Sequence, residues 1–259
     1  MITLTSDFGL KDPYVAEMKG VILTINPKAT VIDVTHEVEK FNIRMGAFML
    51  ASAAPYFPQD TVHLAVVDPG VGTQRRAIVI QTKKSFFVGP DNGILILSAQ
   101  SQGIIRICQL TNQKLMLTTI SSTFHGRDIF APAAAHLDKG VDPSAFGTEI
   151  SDPIISEFGK VKCSNGSIIG EVLHVDSFGN IITNINENDL IQANAERINV
   201  NLQNISLKLT FDKTYAQTRL KEPVALIGSH GFLEIALNQG NAAEKFHVKA
   251  GDKIVVRTA

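Results

Sequence analysis

Five stretches of this sequence place residues able to do acid–base or polar binding chemistry at the end of an apolar run or beside glycine. Asp7 follows "MITLTS" in "TSDFG", His36 follows "ATVIDVT", and Asp68 follows "TVHLAVV" in "VVDPGVG". Asp91 and Asn92 follow "SFFVGP" in "GPDNG", and "STFHGRDIF" carries His125, Arg127 and Asp128. Any one of them also has a plain structural use, since Asp or Asn next to Gly is a common turn residue and His36 in "THE" suits a helix cap. Their recurrence at one kind of position points to a shared site. Two chemistries fit the residue types. Asp, Arg and His together make a water-activating group, with Asp or His as base and an Arg such as Arg75 fixing the carboxylate. Alternatively, the acidic strand ends and His125 hold Mg or Mn for phosphoester hydrolysis. Arg75 and Arg127 count against the metal, because a guanidinium competes for the same oxygens. His63, set among apolar residues in "TVHLAVV", is expected to be a hydrogen-bonded core histidine, and His136 and His247 to be surface positions.

The elements that must position these groups alternate. Strands are expected at 1–6 and 29–35, and at 61–68, 77–82 and 85–90, the last three with apolar runs too continuous for a half-exposed sheet. Asp12 before Pro13 predicts the N-cap and first residue of a helix through "YVAEMKGVILTI". Further helices are expected at 41–54 and at 127–140, the latter ended by Gly140. This is the pattern of an α/β domain with a mostly parallel sheet flanked by helices, whose ligands collect at the carboxyl ends of the strands. Beyond about residue 155 the character changes to short β-like runs, from "SIIGEVLHVD" to "DKIVVRT", separated by Gly, Asn, Asp and Ser. They predict an all-β antiparallel, barrel-like domain. The expected domains are 1–155 and 156–259, with 146–167 as the linker.

A chain of 259 residues can bury a substantial core in one large domain or two. With 44% hydrophobic and 19% charged residues, and 24 Lys+Arg against 25 Asp+Glu, it is neither disordered nor an electrostatic nucleic-acid binder. Cys108 and Cys163 have neither disulfide-framework nor zinc-ligand spacing. "MITLTSDFG" lacks a basic region followed by an apolar one, and no run reaches a membrane-spanning length. We expect a soluble cytoplasmic protein without membrane or nucleic-acid partners.

"SDFGLKDPYV", "IDVTHEV", "VVDPGVGTQRRAI", "GPDNGIL", "STFHGRDIFAPAAAHL", "VDSFGNIITNI" and "IGSHGFLEIALNQGNAAEKF" occur in this order. As a set they resemble the S-adenosyl-L-methionine (SAM) hydroxide adenosyltransferase family, the SAM hydrolases related to fluorinase and chlorinase. The resemblance runs from residue 2 to about residue 257. It implies the two-domain architecture above and a homotrimer, with each site between the N-terminal domain of one subunit and the C-terminal domain of the next. It also implies a reaction without metal or cofactor, in which water or hydroxide attacks C5′ of SAM to give adenosine and L-methionine. The family's Asp-Arg-His triad falls on Asp68, Arg75 and His125. The halogenating relatives lack this triad and carry a non-acidic residue in place of Asp68, which points to hydroxide here.

The same resemblance assigns the substrate contacts. Asp7 takes the ribose hydroxyls, Phe41 lies over the ribose side and Tyr14 near the amino-acid part. Asp176 takes the ammonium, Asn180 the adenine edge, and Phe178 stacks near the base. Ser229 meets the methionine carboxylate and Ala242 meets adenine through its backbone. Two departures stand out: His230 occupies the place of an Arg that holds the carboxylate in fluorinase, and Tyr14 the place of a small hydroxyl residue. From the residues alone, a metal-dependent nucleotidase or phosphohydrolase and a non-catalytic adenosine- or SAM-binding protein remain the alternatives.

Overall fold

The computed structural model describes residues 1–156, 158, 160–164, 166–191, 197–202 and 205–258. The chain divides into two compact units, Met1–Ser156 and Glu157–Ala259, each with its own hydrophobic core.

Unit 1 contains β1 (Ile2–Ser6), α1 (Tyr14–Ile25), β2 (Val31–Thr35), α2 (Ile43–Ala53), β3 (Val62–Val66), β4 (Ala77–Thr82), β5 (Phe86–Pro90), α3 (Ile96–Ser101), β6 (Ile104–Gln109) and α4 (Ala131–Asp138). Its sheet runs β2-β1-β3-β5-β4-β6. β2, β1, β3 and β5 are parallel, and β4 runs antiparallel to both its neighbours. Alternate residues Ile2, Leu4, Val62, Leu64 and Val66 pack with Met18 and Ile22 of α1 and with the alanine-rich α4. α2 and α3 cover the other face. β1, β3 and most of β4 and β5 are therefore buried on both faces; β3 to β5 are apolar runs, whereas β1 buries Thr3 and Thr5 on its second face.

Two local expectations shift. Pro13 occupies the cap position of α1, which has no side-chain cap bond, so the helix begins one residue later than the Asp12–Pro13 pairing suggests. The stretch after 146, expected to be a linker, is held along β6: Gln109 N–H donates to Thr148 O at 2.8 Å and Ile150 N–H to Ile107 O at 2.9 Å. Positions 157, 159 and 165 of the 146–167 segment lie outside the described residues.

Unit 2 contains β7 (Lys162–Ser164), β8 (Ser167–Val175), β9 (Ile181–Asn186), α5 (Glu187–Ile191), β10 (Arg197–Leu202), β11 (Ile205–Thr210), β12 (Pro223–Ile227), β13 (Phe232–Leu237), α6 (Ala242–Phe246) and β14 (Lys253–Thr258). The strand path β11-β10-β14-β8-β9-β13-β12 is antiparallel throughout, and a bridge between Phe211 and Ala225 draws its two ends together into a barrel shape. Among the described residues no helix is long and apolar enough to cross a membrane.

Candidate active site

The site in unit 1 follows from the direction of β4. β3 ends at Val66 and delivers Asp68 to the carboxyl edge of the sheet; β5 lies between β3 and β4, and β4, running the other way, starts at that same edge with Arg75 just before it. "VVDPGVGTQRRAIVI" is thus a connection over an intervening strand rather than a hairpin. Gly72 permits it: its φ is +77°, and a Cβ there would lie 2.3 Å from Ser122 O.

Arg75 Nε donates to both Asp68 oxygens at 3.0 Å, and Nη2 donates to Asp68 Oδ2. The same Nη2 lies 2.9 Å from His125 Nδ1. A guanidinium only donates, so Nδ1 accepts and the neutral imidazole carries its hydrogen on Nε2. Burial and the adjacent Arg75 charge hold His125 below the usual histidine range, although Asp68 and Asp128 pull the other way. The Asp68 and Arg75 side chains are only 5% and 9% exposed, so water screens this pair weakly.

Asp68 and His125 open onto a cavity of about 350 Å³ that Asp7, Tyr14 and Phe41 also line. Asp7 sits at the end of β1, and its Oδ2 accepts the Phe41 N–H at 2.9 Å. Phe41 has a left-handed backbone, φ +64°. Asp12, free of capping duty, lines the cavity too.

Three other strand-end candidates have structural tasks. Asp91 is 1% exposed, pairs with Arg76 and accepts Ile154 N–H at 2.9 Å. Asn92 donates to Val67 O. His36, 3% exposed, contacts Ser6 Oγ at 2.7 Å and Asp33 Oδ1 at 3.0 Å. Arg127 pairs with Asp128 and Glu17, away from Asp68. His63 is the core histidine expected, bonded to Thr3 Oγ1 at 2.7 Å and stacked on Phe87. His247 is exposed, whereas His136 is half-buried rather than a surface residue.

Within unit 2, Asp176 Oδ1 accepts the Phe178 and Asn180 N–H groups and Oδ2 accepts Asn180 Nδ2, all at 2.9 Å. Gly179 packs against Asn241, and its carbonyl accepts Ala243 N–H, so the 176–180 turn lies beside Ala242 at the start of α6. Ser229 and His230 lie in the β12–β13 turn. By register that turn joins the opposite end of β13 from the Asp176 loop, while the Glu234 carboxylate reaches toward both: a Cβ on Gly228 would lie 2.5 Å from its Oε2, and the Asp176 charge acts on it.

Comparison with known proteins now bears on this geometry. The family model described as the SAM hydroxide adenosyltransferase N-terminal domain matches residues 2–147, and that of the C-terminal domain matches residues 170–255. The chain belongs to the SAM hydroxide adenosyltransferase family. It is 38% identical to a protein of Methanocaldococcus jannaschii named (R)-S-adenosyl-L-methionine hydrolase, over 99% of this chain and 95% of the relative. It is 29% identical to a fluorinase of an Actinoplanes species, over 100% and 98%. The crystal structure of an uncharacterized conserved protein from Thermotoga maritima superposes with a TM-score of 0.89 at 42% identity, over 99% of this chain and all of that one.

Beyond Tyr14, this member of the SAM hydroxide adenosyltransferase family carries site features outside the candidates named from its sequence. Phe8, Tyr14 and Phe124 form an aromatic wall, with ring centroids 5.2–5.8 Å apart. Lys40 lines the cavity and donates to Asp7 O. In unit 2, Glu234 is 5% exposed within an apolar strand and accepts the Tyr215 hydroxyl at 2.7 Å. Burial pushes Glu234 up and Asp176 adds to the shift, against the Tyr215 hydrogen bond. A Glu inside "FLEIAL" was the one available hint. Among the described residues no group of three or more His, Cys, Asp and Glu side chains is placed to hold a metal ion.

Proposed function

We propose that the protein hydrolyses SAM, with Asp68 accepting a proton from a water that attacks C5′. The observation carrying this reading is the Asp68–Arg75–His125 chain at the cavity wall. With Nδ1 of His125 taken by Arg75, its Nε2–H donates, which leaves Asp68 as the acceptor of the three. The C5′–O bond forms as the C5′–S bond breaks; sulfur keeps the electron pair, and methionine leaves as a neutral thioether. The proton lost from the attacking oxygen passes to Asp68 and then to solvent. Because the sulfonium brings its own positive charge and leaves without it, the leaving group needs no acid. Positioning supplies roughly 7–11 kcal/mol of the barrier reduction, and proton acceptance a further 10²–10⁴-fold or so.

In this proposal Asp7 accepts from the ribose diol, Phe41 covers the ribose, and the aromatic wall that includes Tyr14 faces the sulfonium and the amino-acid part. Asp176 takes the methionine ammonium with Asn180 bracing it through its amide, while Phe178 stacks near the base. Ser229 and His230 meet the carboxylate, and Ala242 meets adenine through its backbone. We further propose a homotrimer in which these unit 2 residues complete the cavity of a neighbouring copy, and a cytoplasmic location. Exposed Phe41 and Phe178, at 69% and 76%, support the trimer, and the free thiols of Cys108 and Cys163 support a reducing compartment.

Incubation with SAM in ¹⁸O-water, in excess EDTA and with each sulfonium epimer, tests the reaction. Label in the adenosine is expected, with the (R) epimer preferred as in the relatives' names. Unlabelled adenosine, or none, would sink the hydrolase reading.

A further inference from the structure

A five-residue π-helical turn, Gly126–Phe130, precedes α4. Its cause lies in the sequence. Pro132, in the first turn of α4, has no N–H to give the carbonyl four residues back, Asp128, and its ring collides with that carbonyl in a regular helix. The turn widens: Ala131 N–H reaches back to Gly126 O, and Asp128 O instead accepts Leu117 N–H at 3.0 Å. Widening changes which side chains share a face. In an α-helix, residues five apart end about 140° apart around the axis, whereas a turn closed by i→i+5 bonds brings them round to nearly the same side. His125, at the head of this turn, and Phe130, at its end, are five apart. Both meet Arg75: His125 Nδ1 lies 2.9 Å from Nη2, and the Arg75 guanidinium carbon sits 5.1 Å from the Phe130 ring centroid.

We propose that Phe130 is a positioning residue for the reaction: Pro132 widens the turn, the turn carries the Phe130 ring to where the Arg75 guanidinium sits over it, and the ring holds the guanidinium between Asp68 and His125. Arg75 has its in-plane N–H groups committed to Asp68, to His125 and, through Nη1 at 3.4 Å, to the Arg76 carbonyl, so contact above or below that plane is what remains to be fixed. A phenyl ring at zero exposure does this without adding a hydrogen-bonding group, and in a desolvated setting the cation–π attraction is at its strongest. An aliphatic side chain of equal burial fills the space but leaves the guanidinium free to tilt.

The proposal rests on the hydrolase reading for its rate assay and not for its spectroscopic one. Phe130 is replaced by 3,5-difluoro- and 3,4,5-trifluorophenylalanine, which keep the ring's shape while emptying its face of negative charge, and by leucine as Phe130→Leu. We expect kcat for SAM hydrolysis to fall stepwise along the series, to roughly one-tenth, with KM changed by less than about twofold. In Phe130→Leu the His125 ring, followed by NMR, should titrate at higher pH than in the wild type. The charged groups facing it are Arg75, Asp68 and Asp128, and only Arg75 holds it down. Should Phe130→Leu fail to fold, the fluorinated pair decides. An unchanged kcat across the fluorinated series would overturn the proposal, leaving Phe130 as core filler. If the wild type does not hydrolyse SAM at all, the hydrolase reading fails on its own. The His125 titration then decides the positioning role, and identical curves for wild type and Phe130→Leu reject it.

Discussion

Asp68→Asn is the sharpest test of the site, because it preserves shape and removes only charge and proton affinity. Arg75 meets Asp68 through one nitrogen shared between both oxygens at 3.0 Å and a second nitrogen on Oδ2. An Asn amide keeps one oxygen for this fork and turns an N–H₂ group toward the other donors. With side-chain exposures of 5% and 9%, Arg75 is left as a poorly solvated cation without its counter-charge. Breaking such a pair from one side costs about 3–5 kcal/mol. A domain of typical stability, roughly 5–15 kcal/mol, survives that loss as a folded protein, so the variant is measurable. The kinetic effect is separate. An amide oxygen does not take up a proton near neutral pH, so kcat should fall by about 10²–10⁴-fold, while in-line positioning still supports a residual rate. Adenosine affinity should change little, because the proposal gives the ribose hydroxyls to Asp7. Three measurements cover this: adenosine release under saturating SAM by chromatography, adenosine binding by calorimetry, and a urea melt to fix the folded fraction at the assay temperature. A kcat within about threefold of wild type in a folded variant is incompatible with Asp68 as the proton acceptor.

Three further outcomes follow from the same structure. Asp7→Ala should weaken adenosine and SAM binding by roughly 10–100-fold while leaving kcat at saturation nearly unchanged, since a charged acceptor for a diol is worth about 1.5–3 kcal/mol; a kcat loss as large as that of Asp68→Asn would contradict the division of labour. Burial, with a smaller push from Lys84, lowers His63 to about 4; the unfolded chain therefore binds the extra proton below about pH 6.5, so this stability is intact above that pH and drains as pH falls toward 4. The loss approaches ~3 kcal/mol, and His63→Gln should flatten this part of the urea-midpoint profile between pH 7 and 4; parallel profiles would refute the assignment. Gly72→Ala forces a side chain into φ +77° and within 2.3 Å of Ser122 O, so it should lower stability by at least about 1–3 kcal/mol and slow turnover by displacing the loop between Asp68 and Arg75; a wild-type melting temperature would show that the loop relaxes freely.

Local sequence carried the alternation of strands and helices because the central strands of the unit 1 sheet are buried on both faces, leaving β3, β4 and β5 as apolar runs. It did not carry the insertion of β5 between β3 and β4, which is a fact of pairing rather than of composition. α3 and β6 escaped for a different reason: "ILSAQS" is too short for a helical period to show, and β6 exposes Ile104 and Ile105 at the sheet edge. At the site, strand-end position singled out Asp7, Asp68 and His125, yet it equally singled out His36 and Asp91. The difference lies in which partners the fold brings to each. Arg76 captures Asp91, and Ser6 with Asp33 captures His36. Lys40 lies outside the quoted motifs, and Phe8, Phe124 and Phe130 lie inside them without a role of their own, since an aromatic or a lysine near a Gly-rich turn has no distinctive spacing.

The charge around the cavity sharpens what those residues do together. Asp7, Asp12 and Asp68 line it against Lys40 alone, and Arg75 stands behind Asp68. Three carboxylates against two cations, with His125 held below the usual range and so neutral at physiological pH, leave one net negative charge in a weakly screened space. That balance attracts a sulfonium and opposes the entry of a halide beside Asp68, where the adjacent cation, Arg75, is already paired with the carboxylate. Water enters without that electrostatic cost, and the buried carboxylate that repels a halide is the group able to take water's proton. On the proposed reading, the Asp68–Arg75 pair selects the nucleophile by the same charge with which it activates it.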